Sequence, residues 1–260
     1  MSASLPAVSR SEIPRNADGS AAGSTVTPDS LVLVARTLAR YDEFAEWYEQ
    51  WTSGFGPPLI SAHPELMPPL AGLRLLDLAC GHGRLSRDLA RAGATVVGVD
   101  FSGALLDKAR TRDSADIDYV QADVTRAPHW WDGHPFDGCT CELALMDIDD
   151  LSGTLATVAT VLRPGGWFVA SIVHPCFPGN DNGLSSWPSD RGYDAEVWWI
   201  SPDHNPNGAR IRVGATHRKL ATYLNGLLDA GLELERIIEP AAPIPTFLLW
   251  RCRRRWDDNA

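Results

Sequence analysis

The chain predicts an α/β fold, a doubly wound and mostly parallel Rossmann-like sheet covered by helices on both faces. Three observations carry that expectation. An apolar run, Leu75-Leu76-Asp77-Leu78-Ala79-Cys80, ends in a glycine turn, Gly81-His82-Gly83, that opens a helix. A second apolar run, Thr95-Val96-Val97-Gly98-Val99-Asp100, ends in a carboxylate. Strand-like and helix-like segments then alternate as far as Val173, the pattern of parallel strands joined by helical crossovers.

Residues 1–30 are rich in Ser, Ala, Pro and Gly without periodicity and are expected to form a disordered leader, leaving 31–260 as one domain. From about Thr37 an aromatic helix is expected, because Leu38, Tyr41, Phe44, Ala45, Tyr48 and Trp51 recur at three- and four-residue steps. Pro57-Pro58 and Pro68-Pro69 bracket a connection to the first strand, Arg74–Cys80. A helix over Gly83–Ala92, a strand over Thr95–Asp100, a helix capped by Ser102 and a strand over Ile117–Asp123 follow. Next come a strand over Phe136–Leu145, a helix over Ser152–Leu162 stopped by Pro164-Gly165-Gly166, and a fifth strand over Trp167–Val173.

After Val173 the alternation lapses. Residues 174–215 carry five prolines among many Gly, Asn and Asp, and a connection this long is expected to be a substrate lid. Helix resumes near Arg218, and two strands, Glu233–Glu239 and Thr246–Arg251, close the chain. Their connection is too short for a helical crossover, so they should pair antiparallel.

Composition narrows the function classes. At 260 residues and 44% apolar content the chain can bury a full core. A net charge of −10 makes nucleic acid a poor default partner, since binding a polyanion would need a local basic patch. The densest basic run, Arg251-Cys252-Arg253-Arg254-Arg255, reads as the solvated end of an edge strand. No apolar stretch reaches the length of a membrane span, and no signal segment opens the chain, so a soluble cytoplasmic protein is expected. The five cysteines are odd in number and three sit in apolar strands, which fits free thiols in a reducing compartment. Neither cysteine nor histidine spacing matches a metal site, so no metal is expected.

The chemistry gathers at the strand ends. Asp100 can accept both hydroxyls of a ribose, and Asp123 the exocyclic amine of adenine. Asp77, beside the glycines, favours a positively charged ligand and disfavours the phosphate that a dinucleotide turn would cradle. Gly81 and Gly83 satisfy two of the three glycines of G-x-G-x-x-G, with Ser86 in the third place.

At these positions the chain resembles the class I S-adenosylmethionine-dependent methyltransferases. The resemblance rests on Asp77-Leu78-Ala79-Cys80-Gly81-His82-Gly83, Val97-Gly98-Val99-Asp100-Phe101-Ser102, Gln121-Ala122-Asp123-Val124, Cys141-Glu142-Leu143-Ala144-Leu145 and Leu162-Arg163-Pro164-Gly165-Gly166, and covers roughly 36–255. It implies a seven-stranded sheet whose last strand is inserted antiparallel, with S-adenosylmethionine as cofactor. It further implies that Gly81 and Gly83 pass close to the cofactor and that Asp100 holds the ribose. Phe101 would pack on the adenine, Asp123 and Val124 fix the base edge, and Glu142 and Leu143 line the methionine side. Tyr48, or failing it Tyr41, would reach the cofactor carboxylate. The family usually has glycine where this chain has Ala79.

Methyl transfer from a sulfonium needs alignment and exclusion of water more than acid–base help. If a base deprotonates the acceptor, His174 and His217 are the candidates, since one follows the fifth strand and the other enters the late helix; His82 is expected to order the glycine turn. The ten tryptophans include Trp187, Trp198 and Trp199 in the insert and Trp47 and Trp51 on the first helix, which points to a flat, apolar small-molecule methyl acceptor. The preponderance of arginine, with Lys108 and Lys219 the only lysines, is that of a GC-rich bacterial gene and favours secondary metabolism. Two readings compete: an NAD-dependent oxidoreductase, and a non-catalytic cofactor-binding protein on the same fold.

Overall fold

A computed structural model describes residues 40–112, 117–126, 129–177, 192–200 and 208–256. The leader expected over 1–30, Trp187 and much of the expected lid lie outside the described residues. The sheet contains β1 (Arg74–Leu78), β2 (Thr95–Asp100), β3 (Asp118–Gln121), β4 (Phe136–Glu142), β5 (Leu162–Val173), β8 (Leu232–Ile238) and β9 (Phe247–Arg254), in the order β3-β2-β1-β4-β5-β9-β8. The first five strands run parallel. Strand β9 inserts antiparallel between β5 and β8, as the closing strand pair required.

Continuous apolar strands are the signature of a sheet covered on both faces, and alternate residues serve opposite cores. Leu76 and Leu78 of β1 join Phe168 of β5, Trp250 of β9, and Leu155 and Val158 of α4 (Leu151–Val161) in one core. Tyr223 and Leu227 of α6 (Leu220–Asp229) close the same core. On the other face Leu75, Val96, Trp167 and Val169 pack on Leu85 and Leu89 of α2 (Arg84–Arg91). Leu106 and Ala109 of α3 (Gly103–Arg112) seat against Tyr119 of β3. Strand order reverses between β1 and β4, and the carboxyl ends of these two strands open the crevice where ligands bind in such sheets.

Several elements differ from expectation. The aromatic helix α1 spans Ala45–Ser53, after a 3-10 turn over Asp42–Phe44, and does not reach back to Tyr41. Arg40 and Tyr41 are drawn instead to Asp149 and Asp147 across the fold. Strand β4 ends at Glu142 rather than Leu145, because Leu143 takes a left-handed backbone (φ 50°). The amide of Leu143 donates to the Ser171 Oγ at 3.0 Å, which holds that turn. The insert after β5 is not simply a loop. Its described part forms a short ribbon, β6 (Trp198–Trp199) with β7 (Ala215–Thr216), and a one-turn helix α5 (Ala209–Arg212). The basic run belongs to an interior strand, not an edge, and Glu235 of β8 neutralises Arg251 and Arg253.

Candidate active site

The carboxyl ends of β1 and β4 open into a cavity of about 690 Å³. The glycine turn forms its floor. Ala79 and Gly81 both adopt left-handed φ (55° each), and Gly83 (φ 76°) precedes the first residue of α2. A Cβ at Gly81 would meet nothing nearer than Leu105 Cδ1 at 3.9 Å, so the space above this turn is left for something other than the protein's own packing. A Cβ at Gly83 would collide with the Tyr119 hydroxyl at 2.3 Å. Gly83 therefore serves close packing, and it does not line the cavity.

The acids divide into two groups. Asp77 lines the cavity, accepting from Ser86 Oγ at 2.5 Å and Thr140 Oγ1 at 2.9 Å. Asp100 lies behind the turn and accepts the amides of Gly81 (2.7 Å) and Ser102 (2.8 Å). Burial pushes each carboxyl up to about 6 against those hydrogen bonds, and Asp100 adds to the rise of Asp77. Asp123 stands two residues beyond β3, where it caps its own turn through Thr125 and pairs with Arg126. Val124 beside it is buried. Phe101 is 42% exposed, leaving its ring on the outer rim. Asp100, Phe101, Asp123 and Val124 thus follow the rim of β2 and β3, while Tyr48, Asp77, Gly81, Glu142 and Leu143 line the cavity itself.

Glu142 has a second task. Its two oxygens accept the amides of Leu59 and Ile60 at 3.1 and 3.0 Å, clamping the segment after Pro57-Pro58 against the cavity mouth. Burial pushes this carboxyl up to about 7, opposed by those two amides.

Tyr41 and Tyr48 meet edge to face at 4.9 Å, and Tyr48 meets His82 at 5.7 Å. The Tyr41 hydroxyl donates to Asp147 Oδ2 at 2.8 Å, whereas Tyr48 makes no hydrogen bond from its hydroxyl among the described residues. Burial raises both phenols, so each remains protonated at neutral pH. His82 contacts Thr52 Oγ1 at 3.2 Å, and the Thr52 hydroxyl itself donates to the Tyr48 carbonyl at 2.8 Å. Burial, then Arg87 and Arg84, push His82 down to about 4, which keeps it neutral.

The two candidate bases are not brought to this cavity. His174 is buried with Nε2 at 2.8 Å from Glu239 and Nδ1 accepting the Cys176 amide at 3.2 Å. Both nitrogens are committed to holding the end of β5. His217 is buried with Nε2 at 2.8 Å from the Tyr193 carbonyl, on a separate small recess between the insert and α6. Neither histidine lines the large cavity.

Two lining residues escape any reading of spacing: Arg210 and Asp147. Arg210 Nη1 meets Asp147 Oδ1 at 2.5 Å and the Gly214 carbonyl at 2.8 Å. They lie far apart in sequence, and only the docking of α5 beside the segment after β4 joins them. Trp51 and Phe55 of the N-terminal region add an aromatic wall, with Trp47 stacked behind Trp51 at 5.2 Å. Arg212 lies over the Trp47 ring at 4.5 Å, so insert and first helix are tied together.

Known proteins agree with this arrangement. Residues 76–170 match a family model described as a methyltransferase domain. A demethylmenaquinone methyltransferase of Clavibacter sepedonicus is 40% identical over 172 residues, covering 65% of this chain and 63% of the relative. A ubiquinone biosynthesis O-methyltransferase of Thiobacillus denitrificans is 32% identical over 147 residues, 54% of this chain and 63% of that one. The matches span less than two thirds of the length of these curated relatives. The crystal structure of an S-adenosylmethionine-dependent methyltransferase from Mesorhizobium loti superposes with a TM-score of 0.59 at 30% identity, over 75% of this chain and 96% of that one. With the inserted antiparallel strand, the glycine turn and the acids around it in place, the chain belongs to the S-adenosylmethionine-dependent methyltransferases.

Proposed function

We propose that this protein transfers a methyl group from S-adenosylmethionine to O, N or C of a small, flat and largely apolar acceptor. The carrying observation is the acidic, phosphate-averse surround of the glycine turn. Asp77 and Asp100 are buried together with no basic side chain hydrogen-bonded to either among the described residues, and a cationic ligand relieves that surplus of negative charge. The open space over Gly81 fits the same ligand. S-adenosylmethionine, when bound, supplies an activated methyl group on a cationic sulfur.

The remaining roles belong to the chain. Asp100 holds the ribose hydroxyls and Phe101 covers the adenine. Asp123 and Val124 read the base edge, and Asp77, Leu143 and Tyr48 enclose the amino-acid end. Glu142 acts by holding the 57–60 segment closed over the cavity, which excludes water. Trp51, Phe55, Met146 and Phe247 form the wall against which an acceptor ring lies flat. The relatives named for ubiquinone biosynthesis and for demethylmenaquinone methylation favour a small-molecule acceptor over nucleic acid. Five free cysteines fit a reducing, cytoplasmic setting. No helix among the described residues is long and apolar enough to cross a membrane. No histidine serves as base: His174 and His217 face elsewhere, and His82, pushed down to about 4 by burial and the nearby arginines, accepts a proton only weakly.

Calorimetric titration with S-adenosylhomocysteine and with NAD tests this reading. The wild type binds the former and not the latter. Asp100→Asn weakens S-adenosylhomocysteine about tenfold or more, the worth of a charge-assisted hydrogen-bond pair. Binding of NAD in place of S-adenosylhomocysteine would return the protein to the oxidoreductases.

A further inference from the structure

We infer that Arg210, Asp147 and Tyr41 form a subsite for a neutral hydroxyl group on an aromatic methyl acceptor, an inference that rests on the proposed methyltransferase function. All three line the cavity. Arg210 is 4% exposed, yet its Nε–H meets no acceptor among the described residues. That nitrogen is shut off from the cavity; the donor the wall offers is the Nη2 of Arg210, which makes no hydrogen bond among the described residues. A buried ion pair contributes little to stability against an apolar replacement of the same volume, so folding alone does not call for this one.

The pattern of donors and acceptors defines the ligand. Asp147 receives one hydrogen bond on each oxygen, from Arg210 at 2.5 Å and from Tyr41 at 2.8 Å, and each oxygen keeps a lone pair. Guanidinium and carboxylate cancel in charge. The wall therefore offers a donor and an acceptor side by side with no net charge, which suits a hydroxyl that donates and accepts at once. An anion would face Asp147, and a cation would face Arg210.

The subsite adjoins the amino-acid end of the cofactor and continues away from the glycine turn. His82 of the glycine turn touches Tyr48, Tyr48 touches Tyr41, and Tyr41 reaches Asp147 and through it Arg210. The cluster is built from the N-terminal segment, the segment after β4 and the insert, none of which is part of the glycine turn or the β2 rim. Trp51 and Met146 offer apolar surface in the same cavity, where a ring can rest.

The test is competition calorimetry on the full chain saturated with S-adenosylhomocysteine, using four probes of one shape: 1-naphthol, 1-methylnaphthalene, 1-naphthoate and 1-naphthylmethylammonium. The wild type prefers 1-naphthol over 1-methylnaphthalene by about tenfold, the worth of one hydrogen bond to a charged group. Arg210→Met turns the preference toward the ammonium and Asp147→Asn toward the naphthoate, because each leaves one charge uncompensated. Should those single variants fail to fold, the double variant Arg210→Met/Asp147→Leu leaves no buried unpaired ion, and it loses the naphthol preference while still binding S-adenosylhomocysteine. Retention of that preference in the double variant overturns the inference. So does a loss of S-adenosylhomocysteine affinity in Arg210→Met that spares 5′-methylthioadenosine, since Arg210 would then serve the cofactor carboxylate. A wild type that binds S-adenosylhomocysteine without favouring naphthol sinks this subsite alone, whereas one that binds no S-adenosylhomocysteine sinks the proposed function with it.

Discussion

Ala79 holds a left-handed backbone (φ 55°) at the start of the glycine turn, a conformation that costs a non-glycine residue about 1–2 kcal/mol. Glycine there relieves that strain and gives back about 0.4–1 kcal/mol through the greater freedom of the unfolded chain. Ala79→Gly should therefore stabilise by roughly 0.5–1 kcal/mol and raise Tm by about 1–4 °C, measurable by scanning calorimetry. An unchanged or lower Tm would mean the methyl packs better than its backbone suggests. His174 makes the opposite kind of prediction. Because both ring nitrogens are spent on Glu239 and the Cys176 amide, His174→Ala should lower stability while leaving S-adenosylhomocysteine affinity as it was. A tenfold loss of that affinity with an unaltered Tm would place His174 at the site after all.

Among the elements, the segment between β4 and α4 is the one whose order matters most, since it carries Leu143, Met146 and Asp147 into the cavity. Arg218, just ahead of α6, holds it. Its guanidinium is buried and donates to the carbonyls of Leu145 (2.9 Å), Ile148 (2.7 Å) and Asp149 (2.7 Å). Arg218→Met leaves these carbonyls short of donors and should cost about 2–3 kcal/mol in urea unfolding. The same variant should blunt the naphthol preference through misplacement of Asp147, while binding of S-adenosylhomocysteine changes less. A loss below 0.5 kcal/mol, roughly the effect of an ordinary surface substitution, would show that the segment holds itself.

For the molecule as a whole, three buried acids set a pH dependence opposite to the common one. Asp77 and Asp100 titrate at about 6 and Glu142 at about 7, all above their values in an unfolded chain. Between the unfolded and folded values the native state binds more protons, so stability falls as pH rises. The window runs from about pH 4 to pH 7. Acids held low by partners, such as Glu235 between Arg251 and Arg253, act in the other direction toward the acid end of that window, and His82, pushed down to about 4, opposes the fall as far as about pH 6.5 without outweighing three acids. From pH 5 to 7.5 the ligand-free protein should therefore lose thermal stability, and cationic S-adenosylmethionine should flatten the slope by favouring the ionised acids. Asp77→Asn together with Glu142→Gln should remove most of it. A Tm that does not vary with pH over this range would contradict the burial of these carboxyls.

Local order carried much of the fold into view. Leu75–Leu78 and Thr95–Asp100 are apolar on both faces because helices cover both, and that pattern survives in the sequence as runs of β-formers ended by glycine or acid. The short link between β8 and β9 already required antiparallel pairing. The rim acids and the glycine turn were legible for the same reason, since each sits within a few residues of a strand end. The far wall of the cavity was not. Arg210, Asp147 and Tyr41 come from three segments with no shared periodicity, and Glu142 gained its clamp on Leu59 and Ile60 only when distant backbone folded over it. His174 looked like a base because it follows a strand, but side-chain direction and the arrival of Glu239 turned it away from the cavity. Nearest-neighbour sterics and hydrophobic period determined strands, turn and the acids at the strand ends from the chain alone; long-range packing of the insert and first helix decided which polar groups meet in the cavity, because burial and partner choice depend on contacts that no local pattern encodes.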